Sequence, residues 1–480
     1  MEPTTFGALV MLAGVLLWRS SVTAMLCFVL VCTLFGATAA VLVPVLGNAT
    51  ILPANLALLF LAAKVLFSPA GRSAELAAAV RQNGLMAAFC CYGAATAFIL
   101  PHIFSHGIYI SPMRTVSERL FGVQPVAFSS QNITTGVYLM GTLLATIMAA
   151  AVVRAERKWQ LLINTIVVMS WVHIGFGIAD LVFDALGHKE WLEVFRTATY
   201  AELDQEAYGG VHRIAGIFAE TSSYSAYGLG LLALNMEFWL RNLAPKKTGA
   251  VVLAMAGILM MTTSTTAYAG LGLYALLLCA RILFTPMQLP VRKTIILGVV
   301  GALSVAAILA LVVFDKKTAD FFSEILLRST VNKVHSDSGI QRSFWAQKAM
   351  DAFFASYGLG VGVGSFRSSG LFQAIAGSTG VAGLLCFFGY LAAVLKPFTL
   401  QSHRTQNIGL EGVGAAFGWA AVVGLLPAFI SGASPDPGLE FGLFCGTSLA
   451  LSGAGLALRR RPPQGPRVQA MLPVSHGVET

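Results

Sequence analysis

The sequence predicts an all-α, polytopic integral membrane protein of about 12–13 spanning helices, and three observations carry that prediction. Residues are 56% hydrophobic and only 11% charged, against roughly 25% charged in soluble domains. Apolar stretches close to the roughly 20 residues that a spanning helix needs recur from end to end. The lysines and arginines of the short connections fall in every second connection, the pattern produced when positive residues stay on the cytoplasmic side.

Taken in order, the apolar stretches lie near 5–18, 22–46, 51–67, 83–101, 133–153, 161–187, 223–240, 250–263, 266–284, 294–314, 379–395, 409–431 and 439–458. One side of the membrane receives Arg19, Arg72 with Arg81, Arg154 with Arg157 and Lys158, Arg241 with Lys246 and Lys247, Arg292 with Lys293, and then Lys396 and Arg404. The loops 102–132, 188–222, 315–378 and 432–438 are therefore expected outside and the C-terminus inside. On this reading residues 1–458 form a single transmembrane domain, and 459–480, opening with Arg459-Arg460-Arg461, are a basic cytoplasmic tail. The net charge of +9 and isoelectric point near 9.3 follow from that topology and are no argument for nucleic acid.

The N-terminal Met1-Glu-Pro-Thr-Thr has no basic n-region, so no cleaved signal is expected. All seven cysteines fall within expected spans, which argues against disulfides and structural zinc. Lys64 is the main charge in the first four spans and is expected to snorkel to the interface. Two tripeptides, Asn48-Ala-Thr and Asn132-Ile-Thr, fit the glycosylation pattern but are too short to carry weight. The loop 102–132 has the spacing of a short interfacial helix, and Trp191, Leu192 and Phe195 predict another at the start of loop 188–222.

The longest polar stretch is Asp315–Ser378, and binding groups of a membrane protein concentrate in such segments. Phe321, Phe322, Ile325 and Leu326 predict an interfacial helix, and Ser336-Asp337-Ser338 supplies N-cap candidates for a second one carrying Arg342, Trp345, Ala349 and Phe353 along one side. A glycine run follows, Gly358-Leu-Gly360-Val-Gly362-Val-Gly364. No strand precedes it, so a nucleotide fold is excluded; amide nests for an anion and tight helix packing both remain open.

A second charged cluster closes loop 188–222, where His212, Arg213 and Glu220 stand at the membrane re-entry. Such a pair serves either as a structural salt bridge or as a site. Ionisable residues inside spans point to function by default, and His173, Asp180 and Asp184 of the sixth stretch are of this kind. The connection Thr262-Thr-Ser-Thr-Thr266 is hydroxyl-rich and uncharged, suited to bonding back to helix carbonyls.

Arg213-x-x-Gly216-x-Phe218-x-Glu220-x-Ser222, followed by the hydroxyl-rich hairpin and then Arg342-x-x-Trp345 leading into the glycine run, resembles the bacterial O-antigen ligase and polysaccharide polymerase superfamily. The chain departs from it in Lys348, in Glu220-Thr221-Ser222 where many members have Pro-Asn or Pro-Ser, and in Thr265 where many have a basic residue. The resemblance implies a metal-independent, cofactor-free glycosyltransferase of the inner membrane, acting on the periplasmic face on oligosaccharide repeats borne on undecaprenyl diphosphate. Glu220 leans it toward an exopolysaccharide or O-antigen polymerase; a ligase transferring glycan to lipid A core or protein is the alternative within the family. A lipid-linked sugar flippase is the alternative outside it, although nearly bare spans and long loops on one side suit it less. The implied base is Glu220, His335 or His212. The implied donor contacts are Arg213, Arg342, Trp345, Arg367 and the glycines Gly358, Gly360, Gly362 and Gly364, the arginines being suited to phosphate by their forked donors. A chain-length regulator and a flippase are implied partners.

Overall fold

The computed structural model describes residues 2–44, 49–67, 73–105, 107–113, 121–198, 213–284, 291–293, 295–299, 301, 337–400 and 409–459. It is helical almost throughout. In chain order the helices are α1 Thr5–Leu16, α2 Val22–Cys32, α3 Pro53–Leu66, α4 Ser73–Gln82, α5 Gly84–Ile103, α6 Ser130–Glu156, α7 Trp159–Leu186, α8 Thr221–Leu240, α9 Pro245–Met261 and α10 Thr265–Phe284. After residues outside the described set come α11 Asp337–Ala355, α12 Leu371–Leu400, α13 Leu410–Gly424, α14 Leu426–Ser431 and α15 Leu439–Arg459. Among the described residues, 6 stretches are long and apolar enough to cross a membrane: Gly84–Ile103, Ser130–Glu156, Trp159–Leu186, Thr265–Phe284, Leu371–Lys396 and Leu410–Ser431. Shorter apolar helices add Thr5–Arg19, Val22–Phe35, Pro53–Leu66 and Leu439–Ser452. This is an all-α membrane protein.

Small residues let the central helices approach closely. On α15, Gly442 and Gly446 form a Gly-x-x-x-Gly face against α6, and a Cβ on Gly446 would lie 2.2 Å from the Thr146 carbonyl oxygen. In a bilayer, where apolar burial between helices gains little, such close backbone contact is a main source of association.

The expected span 22–46 is not one helix. It ends in a 3-10 turn at Thr33–Phe35, and Val41–Val43 then pairs antiparallel with Ala49–Ile51 and with Glu2–Pro3. Valine-rich chain bounded by Gly36 and Pro44 suits strand better than helix. Lys64 does not snorkel: its Nζ donates to the carbonyls of Leu17 (2.9 Å) and Ser20 (2.7 Å), satisfying the end of the first helical segment. Lys189–Phe195 is a 3-10 segment rather than a surface α-helix; Phe195 packs into a ring cluster with Phe6, Phe35 and Phe176. The interfacial helix expected over 315–334 and most of the stretch 294–314 lie outside the described residues.

Two ends of the bundle differ in kind. At the far end short connections are tied by ion pairs and caps: Arg154 to Glu75 at 2.9 Å, and Glu156 accepting the amides of Val22 and Thr23, each at 3.1 Å. At the other end, called the site end, long segments pair with one another. Arg367 N donates to Ser111 O at 2.9 Å and Gly370 N to Gly432 O at 2.8 Å. A separate apolar cluster of Ile108, Ile110, Val126, Ala349, Ala352, Val361 and Phe366 holds these segments together.

Candidate functional site

The glycine run folds into a gap in a helix. Gly380 interrupts α12 with φ 61° and ψ −156°, which frees backbone groups that hydrocarbon would leave unsatisfied. The run supplies their partners: Val361 N donates to Gly377 O (2.8 Å), Gly362 N to Ser378 O (3.0 Å), and Val381 N to Gly358 O (2.9 Å). All four glycines of the run, Gly358, Gly360, Gly362 and Gly364, have positive φ. At Gly360, Gly362 and Gly364 a Cβ would stand within 2.7 Å of backbone oxygens of Ser378, Thr96 and Gln131. Their absent side chains are thus explained by packing, the second of the two readings left open. The amides of Gly358 and Gly360 are also engaged, by Phe353 O at 2.9 Å and Ser356 Oγ at 2.8 Å, so these amides are spent within the protein.

What the run does is position Arg367. Asn132 fixes the loop from α6: its Nδ2 donates to Val363 O (2.8 Å) and Ser365 Oγ (2.9 Å), while its Oδ1 accepts from Ser129 N (2.9 Å) as part of a capping box. Asn132 is fully buried, so the Asn132-Ile-Thr tripeptide is a cap, not a glycan acceptor. Beyond Phe366, the Arg367 guanidinium lies 4.1 Å above the Trp345 ring of α11, a face-on cation–π contact.

Trp345 and Arg342 share α11. Lys348, three residues on, turns to Asp351 at 2.9 Å, while Ala349 and Ala352 face the glycine loop and are fully buried. Lys348 therefore leaves the packing of α11 intact. His335 lies outside the described residues.

The other half of the site precedes α8. Ile214–Ala219 is buried, Arg213 and Glu220 at its ends are half-buried, and His212 lies outside the described residues. Asp180 of α7 holds this segment, accepting Ala215 N at 2.7 Å and Gly216 N at 2.9 Å. Glu220 is extended at the N-cap of α8; its carbonyl accepts Ser223 N and Tyr224 N, each at 3.1 Å, and its carboxylate accepts from Ser222 Oγ. The hairpin Thr262–Ser264 stands beside the first turns of α8, Ser225 Oγ lying 3.4 Å from Thr262 Oγ1. Thr262 bonds back to Leu259 O at 2.7 Å as expected. Thr263 and Ser264 do not: their hydroxyl oxygens are buried with no partner among the described residues, and Thr263 has φ 50°, a strained state for a β-branched residue.

Charges from both halves reach Arg367. Burial lowers its pKa, the charge of Glu220 raises it and the charge of Arg342 lowers it, so both groups lie within electrostatic reach of the guanidinium. Arg367 Nε is buried with no hydrogen-bond partner among the described residues. The result is a carboxylate and two arginines from segments more than a hundred residues apart, with donors left over to grip an anion and a carboxylate to take a proton. No protein-family model and no curated protein matches this chain. Among the described residues no three or more His, Cys, Asp or Glu groups stand close enough to hold a metal ion.

Asp180 and Arg196 carry more of this geometry than the sequence suggested. Arg196 Nη2 lies 3.6 Å from Asp180 Oδ1 and donates to Gly216 O. Asp180 was visible as an ionisable residue inside a span, but nothing in the spacing points from it to residue 215.

Proposed function

We propose that this chain is a bacterial inner-membrane glycosyltransferase that polymerises oligosaccharide repeats borne on undecaprenyl diphosphate, with its site end facing the periplasm. The observation that carries the reading is the convergence of Glu220, Arg342 and Arg367, with Trp345 backing Arg367, from the two segments that resemble the polymerase superfamily. In the proposed reaction an acceptor hydroxyl attacks the anomeric carbon of the donor. A C–O bond forms there, the bond to the diphosphate breaks, and its electron pair leaves on the lipid diphosphate. Arg213, Arg342 and Arg367 take up the growing negative charge, and Glu220 accepts the hydroxyl proton, His212 and His335 being the other candidates for that role. A diphosphate is already a good leaving group, so the chemistry asks of the protein position and charge rather than a cofactor. Glu220 at the re-entry, where many members of the superfamily have Pro-Asn or Pro-Ser, favours repeat-to-repeat transfer over ligation to a core lipid or protein.

Deleting the gene tests this. Polymer should vanish while single lipid-linked repeats accumulate on the outer leaflet of the inner membrane, open to a lectin added to spheroplasts. A lipid-linked sugar transporter is the second reading, and Glu440 is the observation that favours it: its Oε1 is buried against Gly230 with no hydrogen-bond partner among the described residues, and carboxyls inside a bundle mark transport pathways. A transporter's loss would instead trap the repeats on the inner leaflet.

A further inference from the structure

We infer that Asp180 is the positioning residue of the site, acting through the segment Arg213–Glu220; the inference rests on the glycosyltransferase reading for its catalytic consequence and on geometry alone for its structural one. The amides of Ala215 and Gly216 converge on one oxygen of the Asp180 carboxylate, at 2.7 and 2.9 Å. Gly216 has φ 55°, and two successive amides turned the same way by a left-handed glycine form a concave anion site. Asp180 fills that concavity from within the protein. Arg196 closes the arrangement, reaching the second carboxylate oxygen at 3.6 Å and donating to the Gly216 carbonyl, so N–H and C=O of the same turn are both held. Burial lowers the pKa of Arg196, and the charge of Asp180 offsets only part of that.

The turn is also held from within, Phe218 N donating to Ala215 O at 2.9 Å, with Ile214 and Ile217 buried in the core. Tyr224 packs on Gly216, where a Cβ would come within 3.1 Å of its ring, and Tyr224 Oη donates to His173 O at 3.1 Å. Arg213 stands two residues before the clamped amides and Glu220 four after them. Releasing the turn would let both ends of the segment move by the ångström or so that costs a preorganised site much of its rate.

The experiment uses the full-length protein in nanodiscs with Asp180→Asn, which keeps the shape and removes the charge, and Asp184→Asn as the control one helical turn away. Hydrogen–deuterium exchange reads the turn without reference to activity. For Asp180→Asn, peptides covering 213–219 should exchange at least tenfold faster while those of α6 and α15 stay unchanged; Asp184→Asn should change neither. Polymer formed per inserted molecule should fall tenfold or more, through kcat more than KM, and Asp180→Asn should add nothing further to Arg213→Lys. Unchanged exchange at 213–219 overturns the inference, and so does faster exchange with full polymer yield. Wild-type protein that makes no polymer while the exchange difference is present would strike the glycosyltransferase reading and leave the clamp standing.

Discussion

Among the described residues two guanidinium groups sit over tryptophan rings, and they differ in what else they meet. At the far end Arg281 of α10 lies 4.4 Å over Trp419 and is held by both oxygens of Glu237, with Arg241 adding a third contact at 2.9 Å to the same carboxylate. At the site end Arg367 lies 4.1 Å over Trp345 and has no ion-pair partner among the described residues; Glu220 and Arg342 reach it only through their charges. The first arrangement is closed. The second leaves donors unspent beside a carboxylate whose own bond goes to Ser222. The same three residue types thus make a structural clasp in one place and a candidate anion grip in another, and the difference is stoichiometry of pairing rather than composition.

The clasp should break hardest. Glu237 is 1% and Arg281 8% exposed, and removing one partner of a buried pair costs about 3–5 kcal/mol by leaving the other charge uncompensated. Glu237→Ala should therefore reduce the amount of inserted protein severely, measured by thermal unfolding in detergent and by abundance in membranes. Arg367→Ala should do the reverse: abundance close to wild type, with polymer synthesis down by about 10²–10³, the scale of one lost transition-state donor. Equal abundance loss in both would erase the distinction between clasp and grip.

Subtler changes sharpen it. Gly380→Ala places a Cβ at φ 61°, 2.0 Å from the Gly358 carbonyl oxygen, so strain of on the order of 1–3 kcal/mol or more should lower the unfolding temperature and unseat the loop that carries Arg367. The smallest effect expected is that of a chelator, which should leave polymer synthesis within a factor of about two, since arginines rather than a metal are assigned the diphosphate charge. Loss of activity in chelator, restored by magnesium or manganese, would contradict that assignment. Orientation has its own test at Tyr357, 92% exposed at the end of α11: Tyr357→Cys should react in intact cells with a thiol reagent that cannot cross the membrane, and labelling only after lysis would reverse the topology.

Much of the helical scaffold was legible in the sequence because twenty apolar residues have few other fates in a bilayer. Arg213, Glu220 and Arg342 stood out in the sequence as charges at a membrane re-entry and near a helix start, where charge is otherwise rare. What was not legible depends on contacts between distant segments. The glycine run read equally as an anion nest or as packing, and only its pairing with the interruption at Gly380 decides for packing. Asn132 read as a glycosylation tripeptide, although it is the buried cap that ties α6 to Val363 and Ser365. Asp180 read as one ionisable residue among several because its partners, Ala215 and Gly216, are backbone amides that carry no mark in the sequence. The stretch 22–46 failed for a simpler reason: hydropathy does not separate helix from strand, and Pro44 with the valines beside it favoured strand.

The central claim is that Glu220, Arg342 and Arg367 form one site for the diphosphate of a lipid-linked glycan. Purified protein in proteoliposomes, given lipid-linked repeats and assayed for polymer per inserted molecule, tests it through Arg342→Lys and Arg367→Lys, which keep the charge and remove the fork. The account predicts that each variant inserts normally and loses an order of magnitude or more in polymer formed. Polymer formation within a factor of about two of wild type for both, well under 1 kcal/mol in barrier, would contradict it.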